Sequence, residues 1–359
     1  MSYIALNVIF NAFVLFLILV IGVMLGASSH KQIYEWMLWD AAFVISAVLA
    51  IIGYTRFATF VISIFIPGRK MVGREKARID PLFTDVITNN NKKYGTSYRL
   101  EDFRIKISDE KIVNALALGY NTIIINRGAL DAFNDEQLRA ILAHEMGHLF
   151  YRDSVRSIAL IFSSSATRVV MWFYSLYVVI ASMFTKNAKG EMGGAAALAS
   201  WIPIIIFLPV LCINWVGTRV FNLLNMAMSR GAEYRADAFA ASLGYKADMI
   251  SALEVMDSVS VTDNSFIAKL VVTHPAPMQR IGALEDEKVA KKKIGNLFTA
   301  TPLATNRDNV GGSNEVVRLT VVLVVIGICW LSVRATEMLK HKQVANVVST
   351  LQSVSTVKK

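Results

Sequence analysis

Four long apolar runs, with a shorter fifth run near the C-terminus, constrain this chain more than any other feature. The long runs cover residues 3–27, 37–67, 158–184 and 195–216, and the short run covers residues 319–333. A helix of about 20 apolar residues is long enough to cross the hydrocarbon core of a bilayer. Hydrophobic residues make up 54% of the chain and charged residues 18%, which is unlike a soluble enzyme. We therefore predict an α-helical integral membrane protein.

The net charge of +10 arises largely from Lys and Arg residues that flank the apolar runs. Basic residues follow the second run at positions 69, 70, 74, 76 and 78, whereas the link between the first two runs carries only Lys31 against Glu35. Positive residues concentrate on the cytosolic side of membrane helices. The N-terminus and residues 68–156 are therefore predicted to lie in the cytoplasm. Membrane topology explains the charge, so we expect no nucleic-acid partner.

Residues 68–156 change character and predict a folded α+β unit with a small sheet. A polar helix is predicted near residues 80–94. Three strand patterns follow, at residues 103–107, 112–119 and 122–125. This unit carries the residues with the clearest chemical signal.

Asn134 and Gln137 have the spacing of a helix capping pair, and the helix that they open contains His144, Glu145 and His148. Charged residues on both sides indicate that this helix is amphipathic and not transmembrane. Four residues are about one helical turn, so the two imidazoles converge on one face with Glu145 beside them. This arrangement suits Zn²⁺, which makes a bound water acidic while the adjacent carboxylate takes its proton. We predict one zinc ion per chain.

Glu233 and Asp237 are one helical turn apart in a later segment of soluble character. Glu233 can complete a zinc site of two histidines and one glutamate, and Asp237 can accept a hydrogen bond from the outer nitrogen of a ligand imidazole. The spacing also fits an ordinary charged helix face, and it favours a metal site only beside the two histidines. His274, in a predicted loop, would either donate to a developing oxyanion or cap a surface turn.

Taken together, the separated motifs resemble the HtpX family of membrane zinc metalloproteases, relatives of the type I CAAX prenyl proteases. The motifs are residues 114–119, residues 144–148 with Arg152-Asp153, Ser229-Arg230 with Glu233-Tyr234 and Ala236-Asp237, and His274-Pro275 with Arg280. Their order is similar to the family plan, as is a membrane hairpin between the second histidine and the glutamate.

The resemblance implies that His144, His148 and Glu233 bind the zinc ion and that Glu145 is the general base. It also implies that His274 steadies the oxyanion.

Supporting positions follow from the same resemblance. Arg230, Asp237 and Asp153 are expected beside the ligands. An extended substrate is expected to pair its main chain with the strand that contains Asn114, Ala115 and Leu116. Leu116 stands where the family often has an aromatic residue, and the stretch after residue 309 has no counterpart in shorter members. Substrate preference and the role of the tail are therefore open.

The predicted fold is a helical membrane protein whose cytosolic α+β metallopeptidase domain is split by a transmembrane hairpin. The predicted divisions are two membrane helices (1–67), the first part of the protease domain (68–156), the hairpin (157–217), the second part of the protease domain (218–300), a linker (301–318), a fifth membrane helix (319–334) and a tail (335–359). The topology of the last two segments is open.

The predicted function is hydrolysis of peptide bonds in membrane or misfolded proteins at the inner face of a bacterial inner membrane. The expected partners are polypeptide substrates, foremost membrane proteins, and the lipid bilayer, with the oligomeric state open. One alternative is a prenyl-protein endoprotease, although relatives of that kind have more membrane helices. Another is a zinc-containing membrane scaffold without turnover, which would need a fourth protein ligand on the zinc.

Overall fold

The computed structural model describes residues 2–26, 35–187, 191–260 and 275–286, together with residues 320, 321, 323 and 324. Its helices are α1 (Ser2–Gly26), α2 (Glu35–Gly53), α3 (Arg56–Phe65), α4 (Gly73–Tyr94), α5 (Arg127–Ala132), α6 (Asp135–Phe150), α7 (Asp153–Ser163), α8 (Ser165–Asn187), α9 (Glu191–Ala240), α10 (Lys246–Ser260) and α11 (Pro277–Glu285). Its strands are β1 (Arg69–Lys70), β2 (Arg104–Ser108), β3 (Ala115–Leu118) and β4 (Thr122–Asn126). The predicted linker and tail lie outside the described residues, as does most of the predicted fifth membrane helix.

In the described residues, the strands form one sheet in the order β1-β2-β4-β3. β2 and β4 are parallel, and the other two pairs are antiparallel. The three strands predicted from the sequence are present, although β3 begins at Ala115 rather than at residue 112. The two-residue β1 was not predicted, because so short a strand carries no alternation of apolar and polar residues.

Helices cover both faces of this sheet. Ile123 and Ile125 of β4 point into the main hydrophobic core, which α4, α6, α9 and α10 complete. Ile124 lies between them and belongs to a cluster on the opposite face, with Ala58 of α3 and Ile158 of α7. Successive residues of β4 therefore serve opposite layers, as the pleat of a strand requires.

The helix that carries the histidine motif begins as predicted. Asn134 accepts a hydrogen bond from the backbone of Gln137 at 2.8 Å, and the Gln137 side chain accepts one from the backbone of Asn134 at 3.0 Å. The prediction that α6 is amphipathic is wrong. Residues on nearly all sides of it are buried, because α4, α9, α10 and β3 pack around it.

At about thirty residues, the second apolar run is longer than a bilayer needs, and its length predicts a continuous helix whose surplus extends into the cytosol as a stalk. The structure does not contain this continuous helix. Instead, α2 ends at Gly53, and α3 leaves at an angle of 79°. Thr55 caps α3, since its hydroxyl accepts a hydrogen bond from the backbone N–H of Ala58 at 3.3 Å. The predicted stalk is therefore a separate short helix on the sheet.

By length and composition, two described helices can each cross a membrane: α1, and the stretch that begins at Ile204 in α9. The number rises to four if each bent pair, α2 with α3 and α7 with α8, counts as one span. A buried polar network joins α1 to α7, because the hydroxyl of Ser163 donates to the side chain of Asn7 at 2.7 Å. Asn11 donates to the same Asn7 oxygen at 3.0 Å. Such bonds hold apolar helices together where water is absent.

Helix α9 runs without interruption from Glu191 to Ala240 and has 50 residues. The segment predicted to be a hairpin, residues 157–217, contains the end of α7, all of α8 and the first half of α9. α8 and α9 contact each other through Tyr174 and Phe207. The domain boundary predicted after residue 217 falls inside α9, because the apolar composition ends there but the helix does not.

Glu75 joins three elements at one side of the α+β unit. Arg69 of β1 donates to both of its carboxylate oxygens at 2.8 Å, and the N–H of Val72 donates to it at the same distance. Arg127 of α5 lies 3.3 Å away. The hydrogen bonds from Arg69 are the main reason that the pKa of Glu75 is lowered to about 2, although burial opposes them.

Glu75→Gln should therefore destabilise the protein at neutral pH, by about 1–2 kcal/mol after allowance for solvent screening at the partner. Because the folded pKa is lowered, the carboxylate stabilises the fold above its ordinary pKa of 4.5, and this contribution is lost as the pH falls towards 2. Thermal unfolding in detergent from neutral to acid pH measures the difference. The gap between variant and wild type should close in acid, and a gap that stays constant with pH would contradict the assignment.

Glu101→Gln is the matched control, since the side chain of Glu101 is 67% exposed. It should change the unfolding temperature little at any pH.

Candidate metal centre

Three side chains with metal-binding atoms meet where α6 crosses α9. The Nε2 atoms of His144 and His148 are 3.1 Å apart, and each lies 3.5 Å from one carboxylate oxygen of Glu233. Ligand atoms that bind one tetrahedral ion at 2.0–2.1 Å are about 3.3 Å apart. The three groups predicted as ligands thus form a triangle of the size that such an ion requires, and they are a set able to hold a metal ion.

Gly147 permits the close crossing that brings Glu233 over the histidines. A Cβ atom at this position would lie 3.2 Å from the Cα atom of Ala236 and 3.1 Å from the ring of Phe239. Both neighbours belong to α9 and are buried. The small residue inside the histidine motif therefore sets the spacing between the two helices.

His144 is held by a carboxylate and an arginine from other helices. Its Nδ1 lies 2.9 Å from an oxygen of Asp237, and Arg280 of α11 donates to both oxygens of Asp237, at 2.5 and 2.8 Å. An Nδ1–H that donates to Asp237 leaves Nε2 unprotonated and directed at the triangle. The prediction that Asp237 lies beside a ligand imidazole agrees with this geometry.

His148 has a parallel arrangement. Its Nδ1 lies 3.2 Å from Asp153, whose other oxygen accepts a hydrogen bond from Arg235 of α9 at 2.5 Å. Asp153 reaches this position because Arg152 turns the chain sharply after α6, with a left-handed φ of 58°. The guanidinium of Arg152 lies over the ring of Tyr120. Asp153 thus lies beside the ligand as the resemblance implied.

Arg280 also reaches the third ligand directly. Its Nη1 lies 3.3 Å from Glu233, so one guanidinium contacts both the metal-binding carboxylate and Asp237. Burial alone would lower the pKa of Arg280, but Asp237, Glu233 and Glu145 raise it, and the group is cationic.

The charge of the cluster favours a divalent cation. Glu145, Glu233, Asp153 and Asp237 contribute four carboxylates. Among the contacts that the structure describes, their arginine partners are the buried Arg235 and Arg280 and the partly exposed Arg156. Burial by itself would lower the pKa of His148, but hydrogen bonds to Asp153 and Glu233 raise it well above its ordinary value, and the pKa of His144 is raised in the same way. A potential that attracts protons to both imidazoles also attracts a dication, so the residues fit a bound metal ion.

Glu145, the predicted base, is buried within α6. Its negative charge contributes to the raised pKa values of His148 and Arg280, so Glu145 is close enough to both groups to interact with them electrostatically.

The predicted substrate strand is at the edge of the described sheet. Ala115 and Leu116 belong to β3, which pairs with β4 on one side, and Asn114 precedes it. The side chain of Leu116 is 42% exposed. α6 packs against β3, so this edge borders the helix that carries the histidines.

Two predicted site residues, Arg230 and His274, are not placed beside the candidate ligands by any described contact. Arg230 is exposed on α9, whereas Arg280 contacts Glu233 and Arg235 contacts Asp153. Arg230 lies one turn before Glu233, and its expected position beside the ligands stays a prediction. His274 lies outside the described residues. In the sequence, Arg280 is notable only as part of a motif. Its distance along the chain from Glu233 does not predict that the two side chains are in contact.

Comparison with known proteins gives a family match over the part of the chain that contains the cluster. The sequence model of Peptidase family M48 matches residues 75–288. The chain is 32% identical over 198 residues to Protease HtpX of Acinetobacter baylyi, which covers 48% of this chain and 61% of that protein. It is 29% identical over 195 residues to Protease HtpX of Alcanivorax borkumensis, which covers 49% of this chain and 62% of that protein.

The chain thus matches less than two thirds of the length of these curated relatives. Among solved structures, the crystal structure of S. mikatae Ste24p is similar with a TM-score of 0.37 and 19% identity. That match covers 67% of this chain and 56% of that one.

Asp153→Asn and Asp237→Asn should each weaken metal binding about 10- to 100-fold, because each removes a carboxylate that orients a ligand imidazole. Competition with a chromophoric chelator, with zinc as the probe, measures the affinity. Asp131→Asn is the control, since Asp131 is exposed on α5. Wild-type affinity in both site variants would contradict the assignment, and melting of the metal-free proteins separates loss of affinity from loss of fold.

Proposed function

This chain belongs to peptidase family M48, and from that premise we propose that it is a membrane-embedded zinc endopeptidase that hydrolyses membrane or misfolded proteins at the cytosolic face. The triangle formed by His144, His148 and Glu233 carries the proposal. Its ligands come from two helices, and Glu233 lies more than 80 residues after the histidines. A charged helix face without a metal would not require their convergence.

The proposed mechanism assigns distinct roles to the residues of the cluster. A bound zinc ion would supply a Lewis acid that acidifies water and polarises a peptide carbonyl. Glu145, beside the histidines in the motif, accepts the proton of the attacking water and delivers it to the amine of the leaving peptide as the C–N bond breaks. Asp153 and Asp237 hold the imidazole tautomers that leave both Nε2 atoms free for the metal.

Substrate binding is assigned to β3, at the edge of the sheet that the described residues form. An extended peptide beside Asn114, Ala115 and Leu116 would continue the sheet with main-chain hydrogen bonds, which read little of the side-chain sequence. This mode suits an enzyme that acts on many unfolded segments. His274 is proposed, from the family resemblance alone, as a donor to the developing oxyanion.

The proposed location follows from the apolar helices and the basic residues beside them. Candidate membrane spans occur on both sides of the α+β unit along the chain. The positive residues that follow the second apolar run favour the cytosolic side for that unit. From the resemblance to the HtpX family, we propose that the unit lies at the cytosolic face of a bacterial inner membrane and acts in protein quality control.

Glu145→Gln should retain the metal and lose activity about 10²- to 10⁴-fold, because the amide keeps the shape of the side chain but cannot accept the proton. Metal content and cleavage of casein by the purified protein in detergent measure the two properties. Glu136→Gln, at an exposed position on the same helix, is the control and should stay active. Undiminished proteolysis by the Glu145 variant would overturn the assigned base.

Glu136 also tests the proposed orientation. In a background in which Cys212 and Cys329 are replaced by serine, Glu136→Cys should resist a membrane-impermeant maleimide in intact cells and react once the inner membrane is permeabilised. Labelling of intact cells at the same rate would mean that α6 faces the other side.

A further inference from the structure

Because of the bend between α2 and α3, the second apolar run does not cross a membrane as one straight helix. α2 has 19 residues, which rise about 28 Å and nearly match the hydrocarbon thickness of a bilayer. This length is within the range of transmembrane helices, although by length and composition together α2 qualifies as a candidate span only when paired with α3. α3 then leaves at 79°, so a transverse α2 directs α3 along the membrane surface rather than through it.

The inner face of α3 packs on the α+β unit. Ala58, with the partly buried Ile62, contacts the cluster that contains Leu118 of β3, Ile124 of β4 and Ile158 of α7. A sheet with an open edge does not lie in hydrocarbon, where its unpaired backbone groups would be unsatisfied. This side of α3 therefore faces a domain that stands outside the hydrocarbon.

The outer face of α3 is apolar and exposed. Phe57, Phe60 and Ile64 follow the spacing i, i+3, i+7 and form one stripe, in which each side chain is more than 60% exposed. Phe65 extends the stripe and is 78% exposed. Aromatic and aliphatic side chains in this pattern are typical of helices that lie in the interface of a bilayer.

Exposed basic residues stand at both ends of the stripe. Arg56 begins the helix, and Lys70 and Arg74 follow shortly after its end. Lys and Arg at such positions favour the headgroup region, above all where anionic lipids are present. The chain thus combines an apolar stripe with flanking positive charge immediately beside a candidate membrane helix.

Helix α3 is also tied firmly to the sheet. The hydroxyl of Tyr120 donates a hydrogen bond to the carbonyl of Tyr54 at the elbow between α2 and α3. Gly119, in the turn between β3 and β4, has a φ of +63°, and a Cβ there would lie 2.2 Å from the side chain of Thr59. Only glycine permits both this backbone conformation and this close approach.

We propose that α3 is an interfacial helix whose stripe of Phe57, Phe60 and Ile64 inserts into the headgroup region of the lipid bilayer. A lipid surface is the occupant that the geometry favours, because the helix continues directly from α2 and turns parallel to the membrane at its end. Through Thr59 and Tyr54, α3 holds the β3–β4 end of the sheet at a fixed height above the hydrocarbon. The inference does not depend on proteolytic activity.

Spin labels at the stripe test the proposal in the full-length protein. Phe57→Cys, Phe60→Cys and Ile64→Cys are made one at a time with Cys212 and Cys329 replaced by serine. The proteins are reconstituted in nanodiscs of phosphatidylcholine and phosphatidylglycerol. The accessibility of each label to oxygen, relative to a water-soluble nickel chelate, reports its depth. All three ratios should be similar to one another and several-fold higher than at Glu136→Cys, the exposed control on α6.

Each other result overturns the proposal. Ratios equal to that of the control would mean that the stripe faces water. Low accessibility to both reagents would mean that protein covers it. A steady change in depth from Phe57 to Ile64, which are about 10 Å apart along the helix, would mean that α3 penetrates the bilayer. Because the three labels are independent, one poorly folded variant does not decide the outcome.

Discussion

Burial of several carboxylates around one point is the constraint on which the rest of the α+β unit depends. A charged group inside a protein is costly unless it is paired, and removal of one partner from a buried pair typically costs about 3–5 kcal/mol. Arg235 and Arg280 provide this pairing from α9 and α11. The same contacts orient Asp153 and Asp237. The two arginines therefore neutralise the buried carboxylates and, through them, align the imidazoles of the candidate metal ligands. The short helix α11 is fixed in place by this requirement as much as by its apolar residues.

Local signals in the sequence predicted the parts of the site that depend on local geometry. The capping pair of Asn134 and Gln137 and the one-turn spacing of the histidines involve neighbours along one helix, so the pattern alone determines them. The strand alternation likewise identified β2 and β4 to within about one residue. The convergence of Glu233 on the histidines was proposed because the motif needs a third ligand.

Features that depend on tertiary packing were missed. The sequence contains no proline at the elbow between α2 and α3, and the break at Tyr54 depends on contacts with Tyr120 and the sheet. The contacts of Arg235 with Asp153, and of Arg280 with Glu233 and Asp237, depend on how α7 and α11 pack against α9. α6 was expected to expose one polar face, but α4 and β3, which precede it in the chain, and α9 and α10, which follow it, pack around it. The periodicity of a sequence indicates which faces of a helix are apolar, but it does not identify the elements that pack against those faces.

The continuity of α9 has a mechanical consequence. Glu233 and the apolar stretch that begins at Ile204 belong to the same helix. About 40 Å of this helix separates Ile204 from Glu233. Rotation of a lever of this length by only a few degrees moves its end by more than 1 Å, whereas metal–ligand distances tolerate changes of about 0.2 Å. Because one helix carries both features, a tilt of its apolar half can reach Glu233 without passing through a loop.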